Sequence, residues 1–118
     1  RTSDVSRLLA RMRGEYLSES DAISDVVTKE KLEHYLDLTR RARAKATPIH
    51  EQDTPESEQL IVIMRMADDY ASDAKHFMDK GDYVRAFGAI NYAHAWIDAG
   101  VKLRLLDGHG DDVLFTLP

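Results

Sequence analysis

The stretch whose reading decides the fold runs from Tyr70 to Gly100, YASDAKHFMDKGDYVRAFGAINYAHAWIDAG. Helix-forming residues stand on both sides of one break, Lys80-Gly81-Asp82. Glycine enters the left-handed conformation that follows a helix C-terminus at little cost. Aspartate is a preferred acceptor for the free N–H groups that open the next helix. Two long helices joined by so short a turn must run antiparallel and side by side. On the first, Leu60, Ile63, Met64, Ala67, Tyr70, Ala74, Phe77 and Met78 alternate three and four positions apart, the spacing of one buried face. On the second, Tyr83, Ala86, Phe87, Ile90, Ala93, His94, Ile97, Val101 and Leu105 do the same, and Gly108 marks the expected end.

Upstream, Thr54-Pro55 opens the first of these helices, with Pro at the first helical position and Glu56 and Glu58 in the turn that favours anions. Before it lies the clearest loop of the chain, TPIHEQDTPES, residues 47–57. Pro48 ends an earlier helix that Thr28 can cap, with Leu32, Tyr35, Leu36, Thr39, Ala42 and Ala46 on one face. Further upstream, Val5, Leu8, Leu9, Met12 and Tyr16 keep helical spacing after Asp4, while Gly14 weakens the pattern. The expected fold is therefore all-α, an up-and-down antiparallel three-helix bundle with an additional N-terminal helix. The bundle helices are expected at 28–46, 55–79 and 82–107. Residues 1–27 read as an N-terminal helical extension, 28–107 as the bundle domain and 108–118 as a C-terminal tail. Nothing strand-like precedes that tail, and its VLFTL is expected to lie extended against the bundle or a neighbour.

The bulk properties fit this reading. A chain of 118 residues, 43% hydrophobic and 31% charged, suits one globular domain with a real core. It has no cysteine, which removes disulfides, thiolate metal sites and a Cys nucleophile, and fits a reducing cytoplasm. No apolar run is long enough for a membrane helix, and no signal-peptide pattern is present. The net charge of −5 is uneven. Residues 1–50 carry ten Lys/Arg against eight Asp/Glu, whereas 51–118 carry six against thirteen. An acidic second half is a poor surface for a phosphate backbone, so nucleic acid is not the expected partner.

The segments YASDAKHF, KGDYVRAF and INYAHAWIDAG resemble the archaeal family known as domain of unknown function 357. Tyr70, Asp73-Ala74, His76-Phe77, Gly81-Asp82, Ala86-Phe87, Tyr92-Ala93, Trp96 and Asp98-Ala99-Gly100 carry the likeness. EHYLDL, residues 33–38, resembles that family's first helix. The resemblance covers roughly residues 28–107. It implies a compact three-helix bundle in an archaeal cytoplasm and supplies no activity and no catalytic residues.

Four constellations could carry chemistry. Asp69, Asp73 and His76 stand at i, i+4 and i+7, a spacing that can offer two carboxylates and an imidazole to a divalent cation. The helical wheel turns His76 nearly opposite the Ala67–Ala74–Met78 stripe, however, and no second such pair exists. A solvated face is the expected role. His94 and Asp98 stand at i and i+4 with His94 toward the core. They read as a structural network, with Asp98 alternatively tying Lys102, because no Ser or Cys is placed as a nucleophile beside them. Arg43 and His50 fit the loose Arg-x(4–6)-His spacing of helical RNases, but His50 falls in a loop after Pro48. Arg40, Arg41, Arg43 and Lys45 cluster at a helix end, where the dipole favours cations. No phosphate-binding glycine loop is present and no cofactor is expected.

Tyr92 and Trp96 lie on the side of the last helix away from Ile90 and Ile97. They are core if the N-terminal helix covers them and an interface if nothing does. The expected function is a non-enzymatic protein-interaction module that self-associates, a homo-oligomer or the holder of a protein partner. Leu8, Leu9, Met12, Tyr92 and Trp96 are its interface candidates. The alternatives are a metal-dependent or RNase-like enzyme, and an RNA-binding helper working through Arg40–Lys45.

Overall fold

In the computed structural model, which describes residues 23–118, three helices follow one another: α1 (Lys29–Lys45), α2 (Pro55–Asp79) and α3 (Tyr83–Lys102). The N-terminal helix expected over Val5–Tyr16 lies outside the described residues. No helix among the described residues is long and apolar enough to cross a membrane.

Each helix begins where its cap dictates. The Thr28 hydroxyl accepts from the Lys31 amide at 3.1 Å. Thr54 and Ser57 form a reciprocal capping box, each side chain accepting from the other's backbone N–H, with Pro55 at the first helical position. Asp82 accepts from the Arg85 amide. The α2–α3 turn closes as the sequence leads one to expect. Gly81 takes φ 76°, its N–H donates to the Met78 carbonyl, and the Asp82 N–H reaches back to Phe77 at 2.9 Å. This is the paired C-terminal bond pattern that a left-handed residue completes.

The end of α3 departs from expectation. The helix stops at Lys102, five residues before the expected 107. The same bond pattern recurs there, with the Arg104 N–H to Val101 and the Leu105 N–H to Gly100 at 2.9 Å, and the left-handed residue is Arg104 at φ 60°. A non-glycine residue in that conformation is strained by roughly 1 kcal/mol or more. Arg104→Gly should therefore raise the melting temperature by several degrees, since about 1 kcal/mol moves a domain of this size by about 4 °C or more. A lower melting temperature would show that the Arg104 stem contributes packing outweighing the strain.

The early stop frees Leu106–Asp107 (β2) to pair antiparallel with Thr47–Pro48 (β1), Thr47 opposite Asp107 and Pro48 opposite Leu106. This two-residue ladder corrects the expectation that nothing strand-like precedes the tail. It ties the α1–α2 loop to the end of α3. Gly100 permits the return. A Cβ there would stand 2.8 Å from Leu106 Cδ1.

The core has two parts. Near the α2–α3 turn, Leu32 of α1 packs on Ala74, Ala86, Ile90 and Ala93, with Tyr35 meeting Phe87 edge-on at 5.1 Å. At the opposite end, Leu60, Ile63, Ile97, Val101, Leu105 and Leu106 form a second cluster together with Leu114 and Phe115. The tail thus lies against the bundle, both residues about 4% exposed. Asp111 turns it inward. Its carboxylate accepts from the Val113 and Leu114 amides and from Lys45 Nζ at 2.9 Å. The Leu114 amide and then the Lys45 ammonium hold the Asp111 carboxyl below the usual carboxylate range.

Candidate interaction face

The bundle has two sides. α1 and the tail cover the side of α3 that carries Phe87 and His94, through the Tyr35–Phe87 contact and a 2.9 Å hydrogen bond between Thr39 and His94. The other side of the α2–α3 hairpin has no such cover among the described residues. On α3 and its C-cap it presents Arg85, Ala89, Tyr92, Trp96 and Leu103, three or four positions apart except for the two-turn step to Leu103. On α2 it presents Val62, Met66, Tyr70, Asp73 and Phe77. The two rows run antiparallel, so Tyr70 meets Tyr92 and Phe77 meets Arg85.

The aromatics interlock. Tyr70 and Tyr92 pack edge-to-face at 4.4 Å, Tyr92 and Trp96 at 6.1 Å, and the Arg85 guanidinium sits 6.0 Å from the Phe77 ring centroid. Edge-to-face pairs of this kind are worth about 0.5–1.5 kcal/mol beyond the area they bury. Tyr92 nevertheless keeps 46% of its surface exposed, Val62 62% and Leu103 65%. Trp96 is half-buried against the core, and its indole Nε1 is buried without an acceptor. A shallow groove runs between the rows, lined by Tyr70, Asp73, Phe77, Gly88, Ala89 and Tyr92. A Cβ built on Gly88 would point into open space, so the α3 backbone is accessible to a close neighbour there.

Of the interface candidates, Tyr92 and Trp96 therefore share this face, and Leu8, Leu9 and Met12 lie outside the described residues. The spacing puts Tyr70 and Phe77 in the core, and both do pack against it, partly buried, while their outer edges reach this face; Val62, Met66 and Leu103 are not marked by the sequence reading. Their signal was a second apolar row at i, i+4 spacing, Val62–Met66–Tyr70, offset from the core stripe.

Asp69, Asp73 and His76 are exposed on α2. Among the described residues no three His, Asp or Glu side chains come close enough to hold a metal ion. His94 and Asp98 do not pair with each other. His94 Nε2 donates to the Leu114 carbonyl at 2.7 Å, which leaves Nδ1 to accept from the Thr39 hydroxyl, so the ring bridges α1 to the tail. Asp98 accepts from the Thr116 amide at 3.0 Å, and Lys102 reaches the Leu117 carbonyl rather than Asp98.

The basic cluster is largely neutralised. Arg40 and Arg41 both meet Asp37, Arg43 grips Asp68 through two bonds of 2.9 and 3.2 Å, and Lys45 holds Asp111. The Asp68 hydrogen bond keeps Arg43 protonated even more firmly than usual. Arg43 and His50 do line one cleft, but Arg43 faces Asp68 and His50 Nε2 bonds the Arg104 carbonyl at 3.0 Å.

No curated protein and no solved structure gives a significant match to the chain. A family model does, over residues 34–106, from the EHYLDL segment of α1 through both helices of the hairpin to the start of β2. The chain belongs to the family described as "Protein of unknown function (DUF357)".

Proposed function

We propose that the protein is a helical interaction module that self-associates through the outer face of the α2–α3 hairpin. The observation that carries this reading is the uncovered double row of Val62, Met66, Tyr70, Tyr92, Trp96 and Leu103 on a side that α1 leaves open. Contiguous exposed apolar surface with aromatic anchors marks interfaces far more often than free surface. The occupant is a second copy. Asp73 and Arg85 both line the groove, with opposite charge. A two-fold axis parallel to the helices would bring Asp73 of each copy toward Arg85 of the other, the self-complementarity that an isologous contact needs. Gly88 and Ala89 let the two backbones approach there.

Sedimentation equilibrium across a dilution series tests this. A dimer is expected at high micromolar concentration. Tyr92→Glu should return the protein to monomer with its helical circular dichroism retained, at a cost of several degrees in melting temperature for the lost Tyr70 and Trp96 edge contacts, because Tyr92 is nearly half exposed in the single copy. A strict monomer at every concentration, or a Tyr92→Glu variant that dimerises as well as the parent, would remove the reading.

A further inference from the structure

At the end of the molecule away from the α2–α3 turn, the loop of residues 46–54 and the first turns of α2 enclose a second, separate hollow. Its volume is about 500 Å³, within the range of sites that take a specific occupant. Ala46, Leu60, Met64 and Leu106 form an apolar floor, and Pro48 and Ile61 form its walls. Of these, Ile61 is 59% exposed. The polar rim is acidic in effect. Arg43 is taken by Asp68, and His50 by the Arg104 carbonyl. Asp53 and Glu58 remain, without an ion pair among the described residues, and residues 51–58 hold four acids and no base. Phosphate and carboxylate ligands are disfavoured there by like charge. The chemistry that fits is an apolar body flanked by cations.

The chain carries such a segment outside the described residues. Residues 4–13, DVSRLLARMR, put Val5, Leu8, Leu9 and Met12 at helical spacing and hold Arg7, Arg11 and Arg13 against one acid. The reach is sufficient. α1 spans 17 residues, or about 25 Å at the helical rise. The ten residues 13–22 can cover about 33 Å when extended. Tethering also raises the local concentration of the segment to about the millimolar range, so even a weak contact would be populated.

We propose that residues 4–13 dock in cis into this cleft, with Leu8, Leu9 and Met12 over Ile61, Met64 and Leu106, and with arginines toward Asp53 and Glu58. The docked segment covers the apolar floor and leaves the Tyr92–Trp96 face to the second copy.

The absence of native cysteine allows a direct test on the full chain. In Leu9→Cys/Ile61→Cys, dilute oxidation should give a faster-migrating monomer on a non-reducing gel. It should form at least about tenfold faster than in the control Leu9→Cys/Val84→Cys, as the effective concentrations of the two pairs differ. Val84 is 73% exposed, near the opposite end of the hairpin. Adding Asp53→Lys and Glu58→Lys, or high salt, should slow the Ile61 link toward the control rate. Equal rates in the two pairs would overturn the docking. A disulfide-linked dimer as the main Ile61 product would assign the cleft to a second copy and overturn the cis arrangement. A monomeric protein that still forms the internal link would leave this docking standing while removing self-association.

Discussion

Phe115→Ala should lower the stability of the protein by about 3–5 kcal/mol, the range for deleting a buried aromatic ring. The ring is 4% exposed and belongs to the buried cluster that includes Ile97, Val101, Leu105, Leu106 and Leu114. Gly108 is shaped around it, for a Cβ there would come within 2.9 Å of Phe115 Cδ2. Hydrogen bonds also hold the segment, from His94 to Leu114, from Thr116 to Asp98 and from Lys102 to Leu117. Each such bond contributes only about 0.5–1.5 kcal/mol net, so apolar burial contributes more than any of them. The expected readout is a fall in melting temperature of more than about 10 °C, with an unfolding transition that stays single. A change below about 1 kcal/mol would mean that the last ten residues merely rest on the bundle, since that is the scale of ordinary surface substitutions.

The second large effect is expected at Leu32→Ala, about 2–5 kcal/mol. The fully buried positions of α1 are Leu32, Thr39 and Ala42, and Leu32 is the only large aliphatic among them. α1 is held further by buried Ala42, by partly buried Leu36 and Leu38, by the Tyr35–Phe87 edge contact, by the Thr39–His94 hydrogen bond and by the ion pairs Arg43–Asp68 and Lys45–Asp111. Exposed ion pairs contribute about 0–1 kcal/mol each, and cannot replace a side chain at 0% exposure. Denaturant unfolding would give the magnitude. Hydrogen exchange would give the location, with α1 amides losing more protection than those of the α2–α3 hairpin. Uniform loss would show instead that α1 is welded into one cooperative unit. A midpoint unchanged from the parent would show that Leu32 is dispensable.

These two residues mark different degrees of legibility. Leu32 stands at the start of a helical face that the sequence announces by spacing, and Thr28 directly precedes that helix while Pro48 follows three residues after its end. Phe115 carries no such announcement. It sits in a short segment after several turn residues, where periodicity has nothing to measure. Its burial depends on Asp111 turning the backbone and on a core cluster that exists only once the helices have docked. The end of α3 differs from its sequence reading for a related reason. Glycine is the usual left-handed residue after a helix, which pointed to Gly108, whereas Arg104 takes that conformation at φ 60° because Leu105 and Leu106 must turn back onto Gly100.

The candidate site divides in the same way. Tyr92 and Trp96 were readable as a face because their angular position on one helix follows from 100° per residue. That Tyr70, Met66 and Val62 continue this face required knowing on which side of the hairpin α1 lies. The same placement decides the basic cluster. Four cations at a helix end look like a docking patch in the sequence. In the folded chain Asp37, Asp68 and Asp111 meet them, two of these acids 25 and 66 positions away from their partners.

By itself, then, the sequence determined the three bundle helices, their N-caps, the tight antiparallel hairpin and the outward turn of Asp69, Asp73 and His76. All of these are local consequences of backbone stereochemistry and a period of 3.6 residues. Only the tertiary structure decided which face the described residues leave uncovered, which charges they already satisfy and that the last residues complete the core. Those are properties of pairs of surfaces distant along the chain, and no local rule of spacing encodes them.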